Sequence, residues 1–234
     1  MNLLIVLTSQ AEIPSTKAQT GWYLPELAHP FYTLKDKIKL TISSPQGGQA
    51  PLDPTSIKLF HDDEEAQAFL KDHQDVWMRT LPLREIVGRV HDFDAIFYIG
   101  GHGPMFDLPS NKHSLALLQS FAAEKKPIAA VCHGPAALLN ATAPSGIPLL
   151  SGAEVTGFAD EEEEATGMVE AMPFSLQQRL ELVSGGGYLR SSRAWDEKVV
   201  VSCAAGTGSV LITGQNPRSA RGVALEILKA LKVA

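Results

Sequence analysis

The sequence predicts an α/β sandwich in which helices cover both faces of a mostly parallel β-sheet. Three short apolar runs, at residues 3–8, 95–99 and 128–131, have the length and composition of strands that are buried on both faces. Strand patterns and helix patterns alternate almost throughout the chain, which is typical of this fold class. Ligands of such folds bind beyond the carboxyl ends of the strands. We therefore expect the functional site in the loops that follow these runs.

The first half of the chain supplies two predicted strands and several helices. Its regular elements are, in order, a strand at 3–8, a polar loop at 9–20, a segment at 21–31 that leads into a helix, a strand at 39–43 and a turn at 44–48. Residues 49–92 are less regular. Four acidic residues at 62–65 suit the start of a helix, where the dipole favours negative charge. Residues 76–90 have helical patterns on either side of a break at Pro82.

The second half continues the alternation. Its remaining elements are a helix at 111–123, a loop at 146–152, a short strand at 155–158, a short helix at 173–182 and a last helix at 218–231. Valine-rich runs at 199–201 and 210–213 flank a turn at 204–209, which predicts a β-hairpin. No internal repeat or linker interrupts the pattern, so we expect one domain over residues 1–234.

Composition and charge argue against several classes of protein. The 234 residues are long enough for one large core, and 44% of them are apolar. The net charge of −6 and the lack of a basic cluster argue against a nucleic-acid or membrane partner. The apolar run at 3–7 is too short for a signal core or a membrane span, so a cytoplasmic location is expected. Cys132 and Cys203 are expected to be free thiols in a reducing compartment.

The most informative stretch is residues 128–139, where an apolar strand ends at Cys132 and His-Gly-Pro follows. Gly134 permits a sharp bend, and Pro135 suits the first turn of a helix. A thiol on such a turn lies near the positive end of a helix dipole, which favours the thiolate. The nucleophile elbow holds its serine in the same way. A lone cysteine would be interpreted as a small core residue, but beside His133 we interpret Cys132 as a nucleophile.

Three other features are candidates for the same site. The Gly-Gly-His-Gly sequence at 100–103 follows a strand, and its backbone N–H groups can hold an oxyanion. Glu26 either complements the dipole of the first helix or directs its carboxyl over the sheet towards the thiol. The acidic run at 160–164 is expected to be solvated surface unless one carboxylate turns towards His133, and composition does not select which one.

Taken together, these motifs resemble the PfpI/deglycase superfamily, which has the class I glutamine amidotransferase-like fold. The segments that carry the resemblance are 22–31, 44–54, 100–103, 130–135, 155–158 and 213–217. The chain is most similar to the glutathione-independent glyoxalase (glyoxalase III) branch, which also contains heat-inducible chaperones. The resemblance covers nearly the whole chain. It implies a three-layer α/β/α sandwich with a flavodoxin-like sheet and a nucleophile-elbow cysteine.

The resemblance also implies roles for individual residues. Cys132 is the nucleophile, His133 is its acid–base partner, and Glu26 hydrogen-bonds the cysteine from the first helix. Glu163 occupies the place of the acid that orients the histidine, and the neighbouring glutamates leave that choice open by one position. The implied oxyanion and substrate-binding residues are Gly101, His102 and His133. The chain departs from the family at Ala159, where a hydroxyl residue is common, and at 73–91 and 184–209.

The function implied is conversion of methylglyoxal or a similar small 2-oxoaldehyde to a 2-hydroxy acid such as lactate, through a hemithioacetal on Cys132. Neither a metal nor another cofactor is expected, since proton transfers replace a hydride shift. One alternative is an oxidation sensor or stress chaperone in which Glu26 stabilises the oxidised thiol. Another is a related hydrolase or hydratase that acts on a different small electrophile.

Two further hypotheses are less favoured. The first is amide chemistry, as a peptidase or a glutaminase. Glutaminases of this fold use a histidine far downstream of the cysteine, and this chain has no histidine after His133. His61, His102 and Asp107 can approach one another, but their spacing is not diagnostic of a metal site.

The family resemblance suggests a homodimer.

Overall fold

A computed structural model describes residues 1–233 and shows one seven-stranded sheet. Its strands are β1 (Asn2–Val6), β2 (Lys39–Ser44), β3 (Leu81–Pro82), β4 (Ala95–Tyr98), β5 (Ile128–Val131), β6 (Val199–Cys203) and β7 (Val210–Gly214). The strand order is β3-β2-β1-β4-β5-β7-β6, and every neighbouring pair is parallel except β6 and β7. The central β2-β1-β4-β5-β7 portion has the connectivity of flavodoxin-like folds. The predicted mostly parallel sheet is thus confirmed.

Helices cover the sheet. They are α1 (Leu24–Leu34), α2 (Pro54–Leu59), α3 (Glu64–Asp72), α4 (Asp75–Met78), α5 (Leu83–Ile86), α6 (Pro104–Asp107), α7 (Lys112–Ala123), α8 (Asp160–Thr166), α9 (Leu176–Ser184) and α10 (Ala220–Ala230). Helix α1 packs against α3 and α10, whereas α7 packs against α5 and the segment after β5. The result is a three-layer α/β/α sandwich. No helix within residues 1–233 is long and apolar enough to cross a bilayer.

Sequence signals at the helix ends account for several boundaries. The Asn111 side chain accepts hydrogen bonds from two N–H groups in the first turn of α7, and Asp63 does the same for one N–H of α3. Gly185 ends α9 in the left-handed conformation. The hairpin predicted around 204–209 is present as β6 and β7.

Three predicted elements differ in the structure. Residues 155–158 are not a strand: within the described residues their ladder pairing is limited to one isolated bridge, from Val155 to Tyr188. Residues 76–90 form the short pieces α4, β3 and α5, and Pro82 belongs to the edge strand β3, where its missing N–H is tolerated. The helix predicted at 173–182 begins at Leu176, because Ser175 caps it.

The carboxyl ends of the central strands converge on one edge. The connection that follows β1 runs towards β2, whereas the connection that follows its other neighbour, β4, runs the opposite way along the sheet, towards β5. Such a switch point leaves a crevice between the loops that follow the two strands. The Gly-Gly-His-Gly loop follows β4 and borders this crevice, and Cys132 follows the adjacent strand β5 at the same edge of the sheet.

Candidate active site

Cys132 occupies a constrained turn directly after β5. Its φ of 59° lies in the left-handed region, which is uncommon for a residue with a side chain and is found at functional sites. Its N–H donates to the Gly214 carbonyl and its carbonyl accepts from the Phe158 N–H, both at 2.9 Å. A Cβ at Gly134 would lie 2.5 Å from the Tyr98 carbonyl oxygen, so only glycine fits there. The helix expected after the turn is present as a 3-10 helix, Gly134–Leu138.

His133 connects the thiol to a carboxylate. Its Nδ1 lies 3.3 Å from Cys132 Sγ, and its Nε2 lies 2.7 Å from Glu163 Oε2. A carboxylate only accepts hydrogen bonds, so we assign the ring proton to Nε2 and leave Nδ1 as an acceptor for the thiol. The structure therefore selects Glu163 from the glutamates between which the sequence did not decide.

Glu162, the preceding residue of α8, points elsewhere and is fully buried. Its Oε1 accepts hydrogen bonds from the Trp195 N–H, Gln215 and Asn216 at 2.8–2.9 Å, and its Oε2 accepts from the Ala159 N–H. Successive helical side chains lie about 100° apart, so one glutamate faces the site and its neighbour holds the loops behind it. The acidic run is therefore not solvated throughout: Glu163 is the carboxylate that turns towards His133, and Glu162 is buried as well. The amides at 215 and 216 were the available signal for a buried carboxylate.

His102, in the loop after β4, shares Glu163 with His133. Its Nε2 lies 2.7 Å from Glu163 Oε1, and the two imidazole centroids are 4.5 Å apart. Ligand atoms of these three residues lie within 4.8 Å of one another, and two imidazoles with one carboxylate form a set that can hold a divalent metal. The other group considered from the sequence does not form. His61 is exposed and contacts a backbone carbonyl, and Asp107 accepts from the Ser9 N–H.

Glu26 lies beside the thiol from the first turn of α1. The side chain is fully buried, its Oε2 accepts from the Gly100 N–H at 3.0 Å, and it interacts with Cys132. Its Oε1 has no hydrogen-bond partner among the described residues. Burial raises the pKa of Glu26 to about 8, so the carboxyl is protonated at neutral pH and can donate a hydrogen bond to sulfur.

The thiol itself is not poised as a thiolate. Burial, and then the neighbouring Glu26, raise the pKa of Cys132 well above its ordinary value, which outweighs the hydrogen bond from the Gly101 N–H. The expectation that the turn favours the thiolate is therefore wrong, because the site is buried and the helix after it is short. Two negative charges side by side in a buried site are strongly disfavoured, so Cys132 and Glu26 together carry one at most.

The histidine and its acid have defined charges at neutral pH. Burial lowers the pKa of His133, so the imidazole is neutral and able to accept a proton from the thiol. Burial opposes ionisation of Glu163, but His133 and His102 outweigh it and hold the pKa of Glu163 well below its usual range. Proton transfer from Cys132 to His133 is therefore the step that would create a nucleophile, with the Glu163 carboxylate stabilising the imidazolium.

Gly101, which the sequence predicted to bind an oxyanion, places its backbone N–H next to the Cys132 sulfur. Its φ is 95°, and a Cβ would lie 2.3 Å from the Gly21 carbonyl oxygen, so the loop can approach the turn only because this residue has no side chain. The Gly101 N–H interacts with Cys132. The oxyanion role of the His133 N–H stays a prediction.

A cavity of about 390 Å³ opens above Cys132, His133, His102 and Gly101. Much of its remaining wall is apolar and comes from distant segments that the sequence did not single out, which include Ile13, Leu59, Phe158, Met168 and Trp195. Tyr23 and Asp53 supply polar groups. The arrangement joins a thiol, a neutral base, a protonated carboxyl and a backbone donor around one cavity, which suits covalent chemistry on a small electrophile.

The chain is similar to several known proteins over nearly its whole length. The Saccharomyces cerevisiae protein named glutathione-independent glyoxalase HSP31 is 30% identical over 98% of each chain. The solved structure of glyoxalase III from Candida albicans has a TM-score of 0.83 at 26% identity, with 98% of this chain and 97% of that one covered. The rapid encystment protein REP24 of Francisella tularensis has a TM-score of 0.87 at 34% identity, with 98% of each covered.

The sequence pattern of the DJ-1/PfpI family matches residues 78–230, a range that holds the thiol, both site histidines and Glu163. This match and the full-length similarity to HSP31 lead to the same assignment: the chain belongs to the DJ-1/PfpI family.

Proposed function

We propose that this protein is a glutathione-independent glyoxalase that converts a small 2-oxoaldehyde such as methylglyoxal to a 2-hydroxy acid. The observation that carries the proposal is the continuous connection from Cys132 Sγ through His133 to Glu163, with protonated Glu26 in contact with the same thiol. The names of the similar yeast proteins support the same reaction.

The chemistry follows from the charges in the site. Cys132 gives its proton to His133 as sulfur adds to the aldehyde carbon, and the resulting oxyanion takes that proton to complete a hemithioacetal. Neutral His133 then removes the hydrogen on that carbon, and the electrons move to the neighbouring carbonyl oxygen. Backbone N–H groups, including that of Gly101, stabilise the enediolate.

Reprotonation at the neighbouring carbon, with transfer of the hydroxyl proton to the neighbouring oxygen, gives a thioester. Water then adds to the thioester, the sulfur leaves and is protonated, and a 2-hydroxy acid is released. The aldehyde carbon is oxidised and the neighbouring carbon is reduced by the same amount, so no external oxidant is required. Glu26, with a pKa of about 8, is suited to give and take the protons on oxygen near neutral pH.

The first experiment is to incubate the protein with methylglyoxal in the absence of glutathione and to measure the lactate formed. We expect wild-type activity, its loss in Cys132→Ala, and retention in Cys203→Ala, since Cys203 is exposed at the sheet edge. Glu26→Gln keeps an acceptor for Gly100 but not the exchangeable proton, so kcat should fall by about 10²–10⁴-fold. Lactate formation that survives in Cys132→Ala would refute the proposed chemistry.

A second function is supported by the unpartnered Oε1 of Glu26 next to the thiol. A protonated carboxyl there can hydrogen-bond an oxidised sulfur and so favour a sulfinate, as an oxidation sensor requires. Peroxide titration followed by intact-mass spectrometry tests this function. A gain of two oxygen atoms on Cys132, lost in Glu26→Gln, supports it, whereas no selective oxidation contradicts it.

The expected single domain, homodimer and cytoplasmic location remain proposals. Light scattering after size-exclusion chromatography gives the mass in solution, and 25.2 kDa is the value for one chain. Microscopy of a tagged chain would test the location. A single unfolding transition in calorimetry is expected of one domain.

A further inference from the structure

The cavity above Cys132 is much larger than the substrate it is proposed to take. Its volume of about 390 Å³ is in the range of pockets that hold drug-sized molecules, whereas methylglyoxal is a three-carbon aldehyde. Bound to the sulfur, methylglyoxal would leave most of the cavity unfilled. The unfilled part has apolar side chains on its walls, including Ile13, Leu59, Met168 and Trp195.

Trp195 forms part of an aromatic wall that leads away from the reacting groups. The centroid of its ring lies 5.6 Å from that of the Phe158 ring, and the Phe158 centroid lies 4.4 Å from that of the His133 imidazole. The Trp195 side chain is 38% exposed, so folding does not bury it as a core residue. An exposed tryptophan at the edge of an enclosed site is typical of a residue that contacts a ligand.

The backbone of Trp195 is held in place at a conformational cost. Its φ of 67° is in the left-handed region, which is unfavourable for a bulky residue. The buried Glu162 accepts the Trp195 N–H at 2.8 Å, and Asn216 binds both Glu162 and the carbonyl of Asp196. Strain that is maintained by a buried network is characteristic of functional positions. The network therefore fixes the backbone that carries the Trp195 side chain at the cavity.

The charge of the cavity limits what it can accept. Asp53 lies on its wall, the Glu163 carboxylate lies behind both site histidines, and no lysine or arginine is among the lining residues of the described chain. An anionic substituent would lose its hydration without gaining a cationic partner. A neutral apolar substituent has little hydration to lose and contacts the apolar side chains of the wall.

We propose that Trp195 determines substrate specificity, and that the site prefers neutral 2-oxoaldehydes with an aryl or other bulky apolar substituent over methylglyoxal. This inference rests on the proposed glyoxalase function and names the substrate class of that same site. Burial of a phenyl-sized group favours binding by about ten- to a hundredfold. Since the mouth of the cavity is open to solvent on one side, we expect a preference of about tenfold in kcat/KM.

The test compares three aldehydes by initial rates: methylglyoxal, phenylglyoxal and 4-carboxyphenylglyoxal. Phenylglyoxal should give mandelate with a kcat/KM about tenfold above that for methylglyoxal, and the carboxylated analogue should be slower than phenylglyoxal by tenfold or more. Trp195→Ala should lower the phenylglyoxal-to-methylglyoxal ratio about tenfold, chiefly through KM, and Trp195→Phe should restore part of it. Leu182→Ala removes a more exposed apolar side chain that does not line the cavity, and it should leave the ratio unchanged.

The outcomes separate the two proposals. Two results would overturn the specificity inference and leave the glyoxalase function standing, provided that methylglyoxal is turned over. One is a wild-type phenylglyoxal-to-methylglyoxal ratio of kcat/KM at or below one. The other is a ratio that is unchanged in Trp195→Ala and equal to that of Leu182→Ala. Failure to turn over any of the three aldehydes would overturn the glyoxalase function and the inference with it.

Discussion

The buried Glu26 carboxyl should make the stability of this protein fall as pH rises, and Glu26→Gln should remove that dependence. Burial raises the pKa of Glu26 from its ordinary 4.5 to about 8 in the folded protein. Below pH 4.5 the carboxyl is protonated in both the folded and the unfolded chain, so it makes no pH-dependent contribution to the free energy of unfolding. Between these values the unfolded chain ionises and the folded one does not, so the unfolded state gains free energy.

The magnitude follows from the same two values. One pKa unit corresponds to about 1.4 kcal/mol, so the wild type should lose about 1.4 kcal/mol per pH unit relative to the variant, and about 5 kcal/mol in all by pH 8. Most single domains have a total stability of about 5–15 kcal/mol, so the effect is readily measurable. Glutamine keeps the acceptor for the Gly100 N–H, which limits other changes.

The assay is urea unfolding of the reduced wild type and Glu26→Gln at several pH values from 5 to 8. The difference in unfolding free energy, wild type minus variant, should decrease steadily as pH rises. Glu161→Gln is the matched control, because Glu161 is exposed and pairs with Arg190 at the surface, so its difference should stay nearly flat. A Glu26 difference that is constant over this range would show that the carboxyl is already ionised near pH 5, and would refute the proton-donor role.

Three other predictions concern the remaining groups of the site. Glu163→Gln should lower kcat/KM by about 10²-fold or more, because a neutral amide cannot stabilise the His133 imidazolium. In the wild type, the lowered pKa of Glu163 stabilises the folded state at pH values above the ordinary carboxyl range, and this stabilisation is lost as the pH falls through and below that range. Acid unfolding of Glu163→Gln should lack this pH-dependent loss. His102→Asn should reduce the activity less than Glu163→Gln does, since Glu163 keeps its bond to His133; equal losses would assign His102 a direct part in the chemistry. Gly101→Ala should destabilise the protein by about 3 kcal/mol or more, because its Cβ meets the Gly21 carbonyl, whereas Gly146→Ala, also at positive φ but in open space, should cost about 1 kcal/mol in thermal unfolding.

Local patterns were sufficient for most of the fold. The apolar runs at 3–8, 95–99 and 128–131 became β1, β4 and β5, because four or more apolar residues bounded by turn residues fit a strand that is covered on both faces. Caps at Asn111 and Asp63 act over three residues and could be recognised in the same way. Residues 76–90 were predicted poorly, since their conformation depends on a two-residue pairing of β3 with β2.

The sequence predicted which residues form the site better than it predicted their contacts and pKa values. The Cys-His-Gly-Pro sequence identified the turn that carries the thiol, and family resemblance indicated Glu26 and Glu163. Neither source indicated that Glu163 would be shared with His102, nor that Glu162 would be buried behind it to hold Trp195. The thiol was expected to be acidic and is the reverse, because its pKa is determined by burial and by Glu26, which lies 106 positions earlier in the chain.

The sequence by itself determined the strands, the tight turn at Cys132 and the adjacency of thiol and imidazole, because these follow from steric preferences and periodicity over a few consecutive residues. Only the tertiary structure decided which acid meets His133, the protonation of Glu26 and the size and charge of the cavity. Those properties depend on how completely water is removed from each group and on which distant segments meet at the carboxyl edge of the sheet. The removal of water from a group and the meeting of distant segments both depend on residues far apart in the chain, so no local sequence pattern encodes them.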